Sequence, residues 1–252
     1  VQKSQAPLIF TRESGAPVLH LESDHTAHGG PYAPSFGTSY PRDAIAAFGR
    51  FWVHDGSTVY WSTDIADSTF PAFAGGSSGT LNIASVLPKN VDVITALAVH
   101  NNFLIIFCER NIIIYSGADN PLGDFVLADV IVGVGCIARD SLQSTGSDLL
   151  FLSGTGIRSL GRLIQEKSLP MRDLTRNVRD DFLDIVNAEI ASNGNLDKVR
   201  SVYSENNAFY LISFPSAQTI YCLDMRSPLE DGSARVTNWL GSKITAFLRT
   251  RD

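Results

Sequence analysis

One pattern returns four times in this chain and restricts its fold more than any other feature: two short apolar runs split by a turn. In FLIIFCERNIIIYSG, Phe103 to Gly117, the runs are rich in Ile and Phe and are pinched apart by Glu109-Arg110-Asn111. Runs this short, bounded by turn residues, read as buried strands joined in a hairpin rather than as helix. Moved forward by 45 residues, the pattern falls on Leu149 to Leu160, with Gly154-Thr155-Gly156 at the turn. RFWVHDGSTVYWS, Arg50 to Ser62, repeats it around Asp55-Gly56, a strong hairpin dipeptide. NNAFYLISFPSAQTIYCLD, Asn206 to Asp224, repeats it again with a longer turn at Pro215 to Gln218.

A further apolar segment precedes each hairpin: Ala44 to Phe48, Ile94 to Val99, Ile137 to Leu142 and Val199 to Tyr203. Ile94-Thr95-Ala96-Leu97 is echoed by Ile45-Ala46-Ala47-Phe48, 49 residues earlier, and by Ile244-Thr245-Ala246-Phe247, 150 residues later. A period of ~40–50 residues with three or four strands in each unit is the mark of propeller blades, none of which buries both faces alone. The expectation is an all-β fold, a β-propeller of about four to six blades with one inserted α-helix. Blades are expected at roughly 42–92, 93–136, 137–198 and 199–243, with a fifth opening at Ile244. Leu8 to Phe10 and Pro17 to Leu21 would supply the strands that close the ring. Residues 1–42 are therefore read as an N-terminal arm with those strands, residues 22–42 being loop, and 43–252 as the propeller.

The inserted helix belongs to about 165–195. Leu174, Val178, Phe182, Ile185 and Ile190 recur at helical spacing, with Pro170 before them and Gly194 after. Arg172, Arg176 and Arg179 would then form one stripe on the opposite side, a candidate surface for contacts with another subunit or with DNA.

The formal net charge of -6 argues against a dedicated nucleic-acid binder but suits a surface that DNA slides past. Cys108, Cys136 and Cys222 are sparse and odd in number, as expected of reduced thiols in a chain folded in a cytoplasm. No apolar run approaches the ~18 residues of a membrane span, and no signal peptide leads the chain.

Weaker motifs have ordinary explanations. His20, His25 and His28 with Asp24 offer metal-ligand atoms, but at irregular loop spacing. Gly133 and Gly135 in GVGCIA match a loose dinucleotide fingerprint without the helix that must follow. Gly75 to Thr80, GGSSGT, lacks a phosphate-loop lysine. Asp55, Asp64, Asp67, Asp92 and Glu109 could pair as in a glycosidase, yet most sit at hairpin turns where acidic residues are common. The run from Arg158 to Arg179, with Arg162 and Lys167 inside it, is basic but has no interleaved aromatics for base stacking. The chain is thus read as having no catalytic residue, cofactor or metal.

The succession IAAFGRFWVHDGSTVYWSTD, VITALAVHNNFLIIFCERNIIIYSG and VGCIARDSLQSTGSDLLFLSGTGIRSL resembles β-propeller proteins of short-tailed bacteriophages. The closest type is the tail nozzle, also described as a packaged-DNA stabilisation protein, and the likeness covers about 45–190. The resemblance implies a non-enzymatic structural subunit of the virion tail, assembled in host cytoplasm. It implies a homo-oligomer, a hexameric ring around the DNA exit channel, touching the head-to-tail adaptor and other tail proteins and no membrane. On this reading the N-terminal arm and the 165–195 insertion make those contacts. The alternative is a receptor- or glycan-binding propeller, with or without glycoside hydrolase activity.

Overall fold

The computed structural model describes residues 2–3, 6–9, 19–21, 27–29, 40–64, 73, 75–87, 92–118, 125–165 and 173–248, the first four segments through their backbone. The chain divides into two compact units, 1–130 and 131–252.

In the first unit, β1 (Gln2–Lys3), β2 (Ala6–Ile9), β3 (Leu19–Leu21) and β4 (Ala27–Gly29) form an antiparallel sheet in chain order. The strands expected to complete the last blade thus pair with one another, and the stretch expected to be loop contains β4. The next sheet is β5 (Asp43–Ala47), β6 (Arg50–His54), β7 (Thr58–Trp61) and β8 (Gly79–Asn82). The third is β9 (Ile94–His100), β10 (Phe103–Cys108), β11 (Asn111–Ser116) and β12 (Val126–Val132), which runs across the boundary between the units.

The second unit has a three-stranded sheet, β13 (Gln143–Ser144), β14 (Leu149–Ser153) and β15 (Gly156–Ser159), then a short helix, α1 (Leu160–Gln165). The longer α2 (Arg179–Asn193) follows. The last sheet is β16 (Arg200–Ser204), β17 (Phe209–Phe214), β18 (Thr219–Asp224) and β19 (Arg235–Leu240). The protein is mostly β, and every sheet is an antiparallel meander in chain order.

All four hairpins read from the sequence are present. Their inner strands β6, β10, β11 and β14 are buried almost throughout, which explains why they read as unbroken apolar runs. Two-residue turns with positive φ join the first two strands of successive sheets. They are Phe48-Gly49 (φ 53 and 69) and Asn101-Asn102 (φ 48 and 64), the signs that match the twist of the flanking strands.

Within each unit the first strands of neighbouring sheets meet. In the first unit β5 lies against β9, and the Asp43 carboxylate accepts the Leu97 amide at 3.1 Å. In the second unit β13 lies against β16. There Gln143 donates to the Ser201 carbonyl (3.3 Å), and the Ser201 hydroxyl donates to the Asp140 carbonyl (2.7 Å). Trp52, Trp61, Leu97, Ile106 and Tyr115 centre one core; Leu152, Phe182, Val186, Tyr210 and Tyr221 centre the other.

Two expectations are corrected, and one element had no counterpart among them. The strand read over Ile137 to Leu142 is a 3-10 turn at Arg139–Ser141, closed by the Ser141 hydroxyl on the Ala138 carbonyl at 2.6 Å. No strand occurs over 241–248, where the echo at Ile244 suggested one. Ser213 instead holds the Ile244 carbonyl at 2.8 Å, and the Gln218 carbonyl accepts the Ser242 amide at 3.2 Å. Finally, α1 was not foreseen: the Asp148 carboxylate accepts the Gly161 amide at 2.8 Å and caps a helix that propensity alone does not announce.

Candidate functional site

Of the three arginines singled out, Arg172 lies outside the described residues, while Arg176 and Arg179 do not form a helical stripe. The helix begins at Arg179, and Arg176 sits in a 3-10 turn at Arg176–Val178. The preceding segment, 173–175, runs beside β15: the Leu174 amide donates to the Ile157 carbonyl at 2.7 Å, and the Ile157 amide to the Thr175 hydroxyl at 3.2 Å. It thereby takes the place of a fourth strand, which is why helical spacing misled there.

Arg179 pairs with Asp173, a carboxylate buried completely and also bonded by the Thr175 hydroxyl at 3.3 Å. The Arg179 side chain is itself 41% exposed, but without it the buried Asp173 carboxylate would lose its cationic partner, so Arg179 has a structural role. Arg176 is exposed. Asp231 is held below the usual carboxylate range, chiefly by the Ser233 hydroxyl and amide, with a smaller contribution from the Arg176 charge.

The rest of the basic run is also dispersed into the fold. Arg158 is buried, donating to the hydroxyls of Ser153 at 3.2 Å and Thr155 at 2.7 Å. Arg162 donates to the Gly232 carbonyl at 2.6 Å. Lys167 lies outside the described residues. The exposed side of α2 is acidic, with Asp180, Asp181 and Asp184, where a basic one was expected.

Of the acidic candidates, Asp55 and Asp92 act as turn anchors, while Glu109 is exposed and Asp64 half-buried. Asp55 accepts the amides of Ser57 and Thr58, both at 2.8 Å, and the Tyr60 hydroxyl at 3.1 Å. Burial, then the Asp55 charge, pushes Tyr60 up to about 12. Asp92 accepts the Asn111 side-chain amide at 2.6 Å. Cys108 is buried in a strand, and desolvation followed by the Asp92 charge raises its thiol to about 12, the opposite of an activated nucleophile. Asp67 lies outside the described residues.

The glycine motifs are structural too. Ser77, within GGSSGT, offers its carbonyl to Arg50 (3.3 Å) and to the Trp61 indole (3.1 Å). Gly133 has φ 84 at the bend after β12. His20 and His28 are register partners on β3 and β4, rather than residues of one loop, and His25 and Asp24 lie outside the described residues. Among the described residues no three His, Cys, Asp or Glu side chains gather as a metal site, and no helix is long and apolar enough to cross a membrane.

One carboxylate that sequence reading missed is Glu189. It is fully buried on α2 and accepts the amides of Ser216 (2.8 Å) and Ala217 (3.1 Å) and the side-chain amide of Asn193 (2.9 Å). The signal was available: Phe182, Val186, Glu189 and Asn193 share one helical face.

No model of a protein family matches the chain, and no curated protein matches it. Among solved structures, the chain is similar to PorZ, a surface component of the type-IX secretion system of Porphyromonas gingivalis. The identity is 13%, covering 93% of this chain and 25% of PorZ, with a TM-score of 0.43. It is also similar to the AfRom2 CNH domain, at 11% identity over 93% of this chain and 70% of that domain, TM-score 0.47. A third similarity is to Hsv2 of Kluyveromyces lactis, at 10% identity over 93% of this chain and 73% of that one, TM-score 0.42. The chain thus spans a quarter of PorZ and about seven-tenths of the other two.

Proposed function

We propose that the sheets are blades of a β-propeller and that the protein is a non-catalytic structural subunit of a phage tail nozzle. The observation that carries the propeller reading is the meeting of first strands, β5 with β9 and β13 with β16, between consecutive meanders. In a propeller the first strand of each blade lines the hub, so neighbouring first strands are the ones that approach. Among the described residues, five sheets in chain order would be five blades, within the four to six read from the sequence.

The nozzle reading is supported by the hydrophobic and turn pattern over 45–190 and by the acidic balance, which suits a channel that lets DNA pass. On this reading the protein forms a ring, hexameric in the tail, retains the genome and then passes it, and meets the adaptor and other tail proteins. Of the candidates Arg172, Arg176 and Arg179, Arg176 is the one that is described and exposed for such a contact. Electron cryomicroscopy of particles carrying tagged protein tests it: the expected result is density as a ring on the tail axis. Absence from that ring, together with retention of the purified protein on host polysaccharide, would favour the receptor or glycan reading.

A further inference from the structure

The chain holds one Asn-Gly pair, Asn193-Gly194. Of the pairs that asparagine forms, this one deamidates most readily, because glycine has no side chain to shield its own amide nitrogen. That nitrogen attacks the asparagine side-chain carbon Cγ, ammonia departs, and a cyclic succinimide remains. Water then opens the ring at either carbonyl, giving aspartate or isoaspartate. The reaction needs no oxidant and no enzyme.

The pair sits at the end of α2, where Asn193 is the last helical residue and Gly194 turns the chain with φ 73. Both reacting groups are restrained there. The Gly194 amide donates back along the helix to the Ile190 carbonyl at 2.7 Å, so it is committed elsewhere than to Cγ. Asn193 Nδ2 donates to Glu189 Oε1 (2.9 Å), the Glu189 carbonyl (3.2 Å) and the Ser216 hydroxyl (2.6 Å). Its Oδ1 accepts Lys198 Nζ at 2.5 Å. Acceptors on one side and a donor on the other fix which end of the amide is nitrogen. Asn193 thereby ties α2 to the turn between β17 and β18.

The products do not fit this place. An aspartate carboxylate has no N–H to give, so Glu189 and Ser216 lose a donor, and a second negative charge stands beside the fully buried Glu189 carboxylate. The exposed Lys198 ammonium offsets little of this, because surface pairs are weak. Isoaspartate also inserts a carbon into the main chain ahead of Gly194, which displaces the amide that caps the helix.

We propose that Asn193-Gly194 is a deamidation site locked by the fold: closed while α2 is docked, open when its last turn frays, and irreversible once used. Helix ends open more easily than the core beneath them, so the side-chain network around Asn193 is what holds the lock. Chains that have reacted keep a loosened α2, so a lasting opening of the second unit becomes one-way. Neither the propeller reading nor a tail location enters this inference.

Peptide mapping by mass spectrometry tests it, with isoaspartate counted by enzymatic methylation, on full-length protein kept at mildly alkaline pH either native or unfolded in urea. Residue 193 should convert at least ~10-fold more slowly in the native protein, a factor equal to ~1.4 kcal/mol of opening free energy. Ser216→Ala removes one acceptor and should hasten conversion of the native protein while leaving the rate in urea unchanged. Asn193→Asp should lower the urea midpoint, and should lower it less in a Glu189→Gln background, where the opposing charge is gone. Equal rates in native and unfolded protein overturn the proposal, as does a native rate that Ser216→Ala leaves unchanged. So does an Asn193→Asp variant as stable as wild type, or one whose loss is the same in the Glu189→Gln background.

Discussion

At the turn from β6 to β7, one carboxylate organises three residues, Ser57, Thr58 and Tyr60. Asp55 holds two amides and the Tyr60 hydroxyl, and the price is a phenol that resists ionisation. A pKa raised in the folded state keeps its proton where the unfolded chain has lost it. Stability from this group is therefore full below pH 10 and declines as pH rises toward about 12. Chemical denaturation followed across that window should show the decline, and Tyr60→Phe should flatten part of it. Gly156 makes a second case: its φ of 136 suits glycine, and a Cβ there would stand 2.4 Å from the Thr175 hydroxyl oxygen. Gly156→Ala should cost ~2–4 kcal/mol in urea unfolding, since the clash also displaces the Thr175 bond to Ile157. The Asp55-Gly56 turn was legible as a local dipeptide signal, whereas the approach of Thr175 to Gly156, 19 residues on, was not.

α2 is a core element of the second unit, not an appended contact arm. Phe182 is fully buried and packs edge-on against Phe214 (5.7 Å) and Tyr221 (4.9 Å). Phe182→Ala should therefore cost ~3–5 kcal/mol, and deleting 165–195 should unfold that unit rather than release a folded monomer. Limited proteolysis separates these outcomes. Glu189→Ala would leave the Ser216 and Ala217 amides without their acceptor, at ~2–4 kcal/mol by thermal denaturation, whereas Glu189→Gln retains one oxygen and should cost less. The end of the helix was legible, because Gly194 adopts φ 73 and its amide caps the Ile190 carbonyl at 2.7 Å. Its start was not. Leu174 and Val178 continue the helical spacing by coincidence, while Leu174 serves the edge of β15.

Across the whole chain, the hairpins were readable because each is local, and their strands alternate with turns whose chemistry is visible in a few residues. The sheet at 2–29 was only half readable, since β1 and β4 are too short to stand out as apolar runs. The pairing of Asp43 with Leu97 was unreadable, because it joins residues 54 apart through one carboxylate. Asp43→Ala should lower stability by ~1–3 kcal/mol, read from the urea midpoint, by stranding that amide between two sheets. The meanders 43–82, 94–132 and 200–240 each close within about 40 residues of chain. During synthesis, such a segment has the strand partners of its own sheet as soon as it leaves the ribosome, so nascent chains can pair strands in instalments without waiting for the far terminus.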